Sequence, residues 1–149
     1  MNINEVNIQD CFEYDRKITE MSGQNAMYCN YCRRTTTSSN RTLLFTGPEI
    51  LIIILNRGKG IQYNVKCNFF EDLNLQGYIS MSETGCYYKL IGIITHIGES
   101  GMAGHFIAYC RNPINNNWNK YNDSIVTPVN NFKSEVIDFA MPYLLFYKK

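Results

Sequence analysis

The sequence predicts an α+β domain in which antiparallel sheet predominates and helices are few and short. Two observations support this fold class. Runs rich in aromatic and β-branched residues recur along the chain, and turn-prone Gly, Pro and Asn residues separate them. Helical patterns with an N-terminal cap are confined to two short segments. No internal repeat or linker divides the chain, so we expect one domain.

Length and charge limit the functional classes. The chain has 149 residues and is 45% hydrophobic, which suffices for one buried core. A net charge of +1 concentrates neither nucleic acid nor an anionic membrane, so we expect neither as a partner. The longest apolar run, Ile50 to Leu55, is too short to span a bilayer, and the first ten residues contain no hydrophobic signal region. A cytoplasmic or nuclear location follows as an expectation.

Each of the two helical segments has an asparagine at its start. Asn7 is predicted to cap a helix over Ile8 to Tyr14, with Asp10 near the positive end of the helix dipole. Asn131 is predicted to cap a second short helix around Phe132 to Phe139. Both are packing helices and carry no chemistry of their own.

The first half of the sheet is predicted from three apolar runs. The run from Glu49 to Asn56 is almost continuous Ile and Leu, which predicts burial on both faces and therefore a central strand. Strands are also predicted over Thr42 to Thr46 and Ile61 to Phe70, and a loop over Ile79 to Gly85.

The second half of the sheet centres on a predicted hairpin. Tyr87 to Ile97 and His105 to Arg111 are strand-like runs joined by a Gly-containing loop. Trp118 to Asn122 is a third run, reached through a turn-prone segment. These three strands should lie side by side. The last two strands are predicted at Ile125 to Val129, where Pro128 indicates an end or an edge, and at Tyr143 to Lys148.

His105 is the first candidate for chemistry. It follows Gly104 at the start of a predicted strand, and Asn122 and Asp123 end the next one. Successive strand residues point to opposite faces, so only one of these two can reach the imidazole directly. A histidine held by an amide or carboxylate is what an activated cysteine requires. The alternative is a surface histidine beside a turn.

Six cysteines are present, and without a sign of secretion we expect free thiols or a metal site rather than disulfides. Cys29 and Cys32 have the C-x-x-C spacing that supplies half of a tetrahedral structural zinc site. The sequence has no second C-x-x-C, so a pair of reduced cysteines is the other interpretation.

Five sequence blocks together resemble the C-terminal half of a ubiquitin-specific protease catalytic domain. They occur in the order found in that family and cover nearly the whole chain. The blocks are P-E-I-L-I-I-I-L-N-R (Pro48 to Arg57), Y-x-L-x-G-I-I-x-H-x-G (Tyr88 to Gly98), G-H-F-I-A-Y (Gly104 to Tyr109), W-x-x-Y-N-D-S-x-V (Trp118 to Val126) and Y-L-L-F-Y (Tyr143 to Tyr147).

The resemblance implies a papain-like cysteine peptidase fold, with partial fingers at about 20–46 and a palm carrying the catalytic histidine at 47–149. It implies that His105 is the general base and later the general acid, that Asn122 orients it and that Asp123 contributes secondarily. It places the partners of the Cys29 and Cys32 zinc pair upstream, and the chemistry itself needs no metal. Residues implied to contact the substrate are Gly98, Gly104, Phe106 and Tyr109.

The nucleophile of that family is missing from its expected setting, a cysteine that opens a helix after a G-x-x-N motif. Cys11 follows Gln9 and Asp10, Cys110 points away from His105 on the same strand, and Cys86 has no helix. Three hypotheses remain. The chain is part of an active deubiquitinase that acts at the C-terminal glycine of ubiquitin, a non-catalytic ubiquitin- or partner-binding remnant, or another papain-like thiol hydrolase. An incomplete domain would also expose apolar surface that favours self-association.

Overall fold

The computed structural model describes residues 5–57, 65–81, 85–100, 103–138 and 141–149, and β-sheet predominates in them. The elements are β1 (Glu5–Asn7), α1 (Ile8–Asp15), β2 (Thr19–Met21), a 3-10 turn (Gly23–Asn25), β3 (Met27–Cys29), β4 (Arg34–Thr36), β5 (Ser38–Asn40), β6 (Ile50–Ile54), β7 (Lys66–Asn68), β8 (Asp72–Asn74), β9 (Tyr87–Ser100), β10 (Ala103–Arg111), β11 (Trp118–Asn122), β12 (Ile125–Pro128), a π-helical turn (Lys133–Ile137) and β13 (Pro142–Lys148). No helix in these ranges is long and apolar enough to cross a membrane.

The main sheet has seven strands, in the order β12-β11-β10-β9-β13-β6, and β8 pairs with the start of β9. All of these pairs are antiparallel. The predicted fold class is therefore confirmed, as is the adjacency of β9, β10 and β11. Pro128 lies in β12, which ends the order, and so the prediction from its missing N–H also holds.

The core lies against the central strands of this sheet. Leu90 and Leu145 are fully buried, and the hydroxyl groups of the buried Tyr88 and Tyr147 are hydrogen-bonded. The Tyr88 hydroxyl donates to the Pro48 carbonyl oxygen at 2.8 Å, and the Tyr147 hydroxyl donates to the carbonyl oxygen of residue 70 at 2.8 Å. Burial raises the pKa of both phenols. These bonds tie the loops before β6 and after β7 to the sheet.

The α1 helix agrees with the prediction to within one residue. The Asp10 carboxylate accepts hydrogen bonds from the Asn7 backbone N–H at 3.0 Å and from the Asn7 side-chain amide at 3.1 Å. Ile8 is 1% exposed and anchors the helix in the core. The preceding strand β1 pairs in parallel with β7, so the helix begins beside that strand. At the second helix, the Asn131 side chain accepts from the Ser134 N–H at 3.0 Å and begins a π-helical turn.

Two small two-stranded sheets occupy most of the segment predicted to be partial fingers. They are β2 with β5 and β3 with β4. The predicted strand over Thr42 to Thr46 is wrong, since only Leu44 forms a bridge there, to Ile79. Leu44 is half-buried, whereas Leu43 and Phe45 are exposed. The carbonyl oxygens of Leu44 and Phe45 accept hydrogen bonds from the N–H groups of Ser80 and Met81, so the run makes a short contact here and not a full strand.

The prediction of a central strand over Glu49 to Asn56 is also wrong. β6 spans Ile50–Ile54, pairs with β13 and stands last in the strand order. Its burial alternates, with Ile50, Ile52 and Ile54 exposed. The continuous apolar run predicts a covering layer on both faces, and the described residues supply only one.

Two further segments differ in extent. The hairpin has no long loop, because β9 continues to Ser100 and β10 resumes at Ala103, with residues 101–102 outside the described ranges. Within the strand predicted over Ile61 to Phe70, Lys66–Asn68 forms β7, and residues 61–64 lie outside the described ranges. The loop predicted over Ile79 to Gly85 is likewise described only in part.

Candidate active site

His105 lies near the start of β10, opposite Ile97 of β9. The strand register shifts between Ala103 and His105, which marks an irregularity directly before the histidine. The side chain is 46% exposed and therefore accessible from solvent. The hairpin thus presents an imidazole at the open end of two long paired strands.

Asn122 is the last residue of β11, and the register of β10 with β11 determines its position. Ala108 pairs with Tyr121, so Asn122 stands on the same face as His105, diagonally across the two strands. The Nε2 atom of His105 and the Oδ1 atom of Asn122 are 2.5 Å apart. The structure therefore brings together the two residues that the sequence selects.

Asp123 lies near His105 but is not hydrogen-bonded to it. It has a positive φ of 52° and begins the turn between β11 and β12. Its Oδ2 atom is 3.7 Å from the same Nε2 atom, too far for a hydrogen bond, and its side chain is 80% exposed. As strand alternation requires, one residue contacts the ring directly and the other adds a nearby negative charge.

The contact with Asn122 determines how the ring can act. An amide oxygen only accepts hydrogen bonds, so Nε2 must carry the proton that it donates. In the neutral ring the Nδ1 atom then has the free lone pair. This arrangement leaves Nδ1 as the base for a thiol, with Nε2–H holding the ring in place.

Gly98 and Gly104 lie side by side behind this histidine. A Cβ on Gly98 would be 2.6 Å from the carbonyl oxygen of Ala103 and 3.1 Å from Gly104 Cα, and a Cβ on Gly104 would overlap the His96 ring. Both positions therefore exclude larger residues. His96 is 7% exposed and fills the space that the glycines leave. No role was predicted for His96, because its fit depends on the space that the glycines leave across the hairpin.

The other two residues implied to contact substrate are placed differently. Phe106 is 53% exposed but lies on the face opposite His105, where its ring contacts His96 at 4.8 Å and Tyr143 at 5.6 Å between centroids. Tyr109 is 8% exposed and belongs to the core, where burial raises its pKa. Tyr109 lies on the same face of β10 as His105 but four residues farther along the strand, where that face is covered by the core, and its contact with substrate stays a prediction.

Cys29 and Cys32 occupy the turn between β3 and β4. The Cys32 backbone N–H donates to Cys29 Sγ at 3.4 Å, and the pKa of Cys29 is lowered chiefly by this backbone bond. N–H donors to sulfur stabilise the thiolate, the form that binds metal. Within the described ranges no group of three or more His, Cys, Asp or Glu side chains could hold a metal ion. The turn therefore offers two potential ligands.

Comparisons with known proteins identify the family of this chain. The family model described as ubiquitin carboxyl-terminal hydrolase matches residues 4–147. The chain is 31% identical over 150 residues to ubiquitin carboxyl-terminal hydrolase 2 of Gallus gallus, covering 97% of this chain and 41% of that protein. It is 30% identical to the Rattus norvegicus protein of the same name, covering 97% of this chain and 24% of that protein. The chain thus spans less than half the length of these relatives.

Solved structures show the same likeness. The SAGA Ubp8/Sgf11/Sus1/Sgf73 DUB module bound to ubiquitin aldehyde matches with a TM-score of 0.76 and 25% identity, over 97% of this chain and 34% of that one. The Ubp8/Sgf11/Sus1/Sgf73 module bound to monoubiquitin matches with a TM-score of 0.75 over the same shares. The sheet and its hairpins therefore have the papain-like fold of these deubiquitinase domains.

Proposed function

This chain belongs to the ubiquitin carboxyl-terminal hydrolase family, and we propose that it supplies the histidine and asparagine of a thiol-dependent deubiquitinase. The proposed reaction is hydrolysis of the isopeptide or peptide bond at the C-terminal glycine of ubiquitin. The observation that carries the proposal is the contact between His105 Nε2 and Asn122 Oδ1 on an accessible face of the sheet.

In the proposed mechanism, Nδ1 of His105 takes the proton from a cysteine thiol. The thiolate attacks the glycine carbonyl carbon, and the imidazolium then gives its proton to the departing amine. Water hydrolyses the resulting thioester with His105 acting again as the base. Asn122 keeps the ring oriented throughout, and the Asp123 carboxylate lies 3.7 Å from the same Nε2 atom.

The attacking sulfur is proposed to come from outside the described part of this chain. No described cysteine contacts the His105 ring. Cys110 is on the opposite face of β10, and burial raises its pKa. Cys86 precedes the other end of β9, about 35 Å along the strand from the partner of His105. A second segment must therefore approach the hairpin from the side on which His105 is exposed.

Ubiquitin is the proposed protein partner, since related modules are described as bound to ubiquitin aldehyde and to monoubiquitin. Gly98 and Gly104 support this assignment because both are exposed and neither has a side chain to obstruct the backbone of an extended peptide. We propose that the C-terminal tail of ubiquitin reaches His105 past these two glycines.

A structural metal site is proposed at the turn between β3 and β4. Cys29 and Cys32 would hold zinc together with two ligands from outside the described residues, and the metal would stabilise the turn without entering the reaction. The backbone bond to Cys29 Sγ and the lowered pKa of that thiol support this assignment.

The test uses ubiquitin whose C-terminus carries a propargylamide, which forms a covalent bond with the catalytic cysteine. We expect labelling of the longest gene product that contains this chain, and loss of labelling when it carries His105→Ala. We expect no labelling of the 149-residue chain alone. Labelling of that chain alone would refute the external sulfur, because it would identify a local nucleophile.

The same experiment separates catalysis from binding. Should the longer product also remain unlabelled, and should titration with unmodified ubiquitin still shift the amide signals of the chain, the protein is a binding module and the proposed reaction is wrong. An Asn117→Ala variant is the matched control, since Asn117 is exposed and lies in the loop before β11. It should leave labelling unchanged.

A further inference from the structure

Two cysteines that play no part in the proposed reaction lie close together beside one cleft. Cys11 is the fourth residue of α1, on the same side as the buried Ile8 three residues earlier. Cys67 is the middle residue of β7 and pairs with Val6, at the centre of the strand that leads into α1. Each thiol alters the pKa of the other, so the two side chains are close together, and both line one cleft. The start of the helix and the strand beside it thus bring two sulfur atoms together.

The pair is accessible from one side. Both cysteines line a cleft of about 970 Å³ between α1 and the end of β6. Cys11 is exposed, whereas Cys67 is 5% exposed and belongs to the core. A small reagent that enters the cleft therefore reaches the exposed Cys11 more readily than the buried Cys67.

From this geometry we infer that Cys11 and Cys67 form a reversible disulfide when the protein meets hydrogen peroxide. The Cys11 thiolate attacks one peroxide oxygen, which gives a sulfenic acid and hydroxide. The Cys67 sulfur then attacks the sulfenic sulfur, the S–O bond breaks and the oxygen leaves as water. Two thiols and one peroxide become one disulfide and two waters, and the bond joins α1 to β7.

The surroundings predict that this disulfide forms slowly and resists reduction. Burial, followed by the charges of Asp10 and Asp15, raises the pKa of Cys11. Burial is also the main cause that raises the pKa of Cys67 to about 11, although the nearby Arg57 opposes it. Thiols that ionise poorly react slowly with peroxide, but they are also poor leaving groups once joined. The site is therefore suited to sustained rather than brief oxidation.

The experiment treats the 149-residue chain with hydrogen peroxide, blocks the remaining thiols, digests it without reductant and maps it by mass spectrometry. We expect a linked pair of peptides containing Cys11 and Cys67, lighter by two hydrogens than the two thiol peptides and lost after dithiothreitol. Because the bond closes the long loop between its two ends, we also expect the Tm of the oxidised chain to rise by roughly 5 to 10 °C.

Two single substitutions complete the design. Cys11→Ser should abolish both the linked peptides and the Tm increase. Cys110→Ser is the matched control because Cys110 is also exposed, and it should change neither. Oxidation of Cys11 to sulfinic acid while Cys67 stays reduced would overturn the inference, as would cross-links of either cysteine only to other partners. The readout does not depend on deubiquitination, so it succeeds or fails separately from the proposed function.

Discussion

The two sides of the main sheet differ in how much of their environment this chain supplies. On the side of β10 and β11, neighbouring strands bring His105 and Asn122 into contact at 2.5 Å. On the side of β6, Ile52 and Ile54 are 53% and 68% exposed. A polar pair needs only the correct register of two strands, whereas an apolar strand needs a second layer to cover it. The described residues thus fix the geometry of the site, whereas they leave one face of β6 exposed.

The largest effect is expected at the hairpin. In the longest gene product that contains the chain, His105→Ala should lower ubiquitin hydrolysis by roughly a thousandfold or more, because the thiol loses its base. Asn122→Ala should cost on the order of 100-fold, and Asp123→Ala only a few-fold, as its carboxylate is exposed and not hydrogen-bonded to the ring. Rates of release from a fluorogenic ubiquitin ester measure this series. Equal losses for Asn122 and Asp123 would contradict the assignment of the orienting residue.

The next effect compares adjacent strands on the side of β6. Leu145→Ala in β13 should lower the free energy of unfolding by about 2 to 5 kcal/mol, because Leu145 is fully buried. Ile52→Ala in β6 should cost less than about 1 kcal/mol, because this side chain is half exposed. Urea unfolding of the chain followed by circular dichroism measures both. A large cost at Ile52 would show that β6 is covered after all.

Alkaline pH should lower the free energy of unfolding, because Cys67 is a buried thiol. The pKa of Cys67 is raised from 9.0 to about 11, so the unfolded chain loses this proton at a lower pH than the folded chain does. The contribution of this thiol to stability is complete below pH 9 and is lost as pH rises through 11, a change of about 3 kcal/mol. Cys67→Val should flatten the fall in unfolding free energy over this range. An identical slope in the variant would exclude this thiol as the cause.

The substitution with the smallest expected effect on stability should clearly weaken self-association. Self-association through the exposed face of β6 remains a prediction, and Ile52→Asp should weaken it by placing a charge among exposed apolar side chains. We expect the free energy of unfolding to change by less than about 1 kcal/mol. Sedimentation velocity over a range of concentrations measures the association. Asn117→Asp, in the exposed loop before β11, is the control charge change. A strictly monomeric chain would disprove this prediction.

The same contrast explains what could be predicted from the sequence. The predicted and observed bounds of β11 are the same, because Trp118 to Asn122 lies between turn-forming residues that end a strand on either side. Alternation along paired strands predicted that only one of Asn122 and Asp123 reaches His105 directly, and the family resemblance selected Asn122. Burial of β6 did not follow, since hydrophobicity indicates that a face should be covered and not whether the chain covers it. The role of His96 was missed because it depends on space left by glycines across the hairpin.

The strand order has a consequence for how copies of this chain can assemble. β12 ends at Pro128, whose nitrogen has no hydrogen to offer another strand, and all four of its residues are exposed. β6, at the opposite end of the order, is an isoleucine-rich template for strand addition. Growth of the sheet is therefore one-sided. Two copies joined antiparallel through β6 would form a closed, two-fold pair with a proline-containing strand at each outer end, and not an open filament.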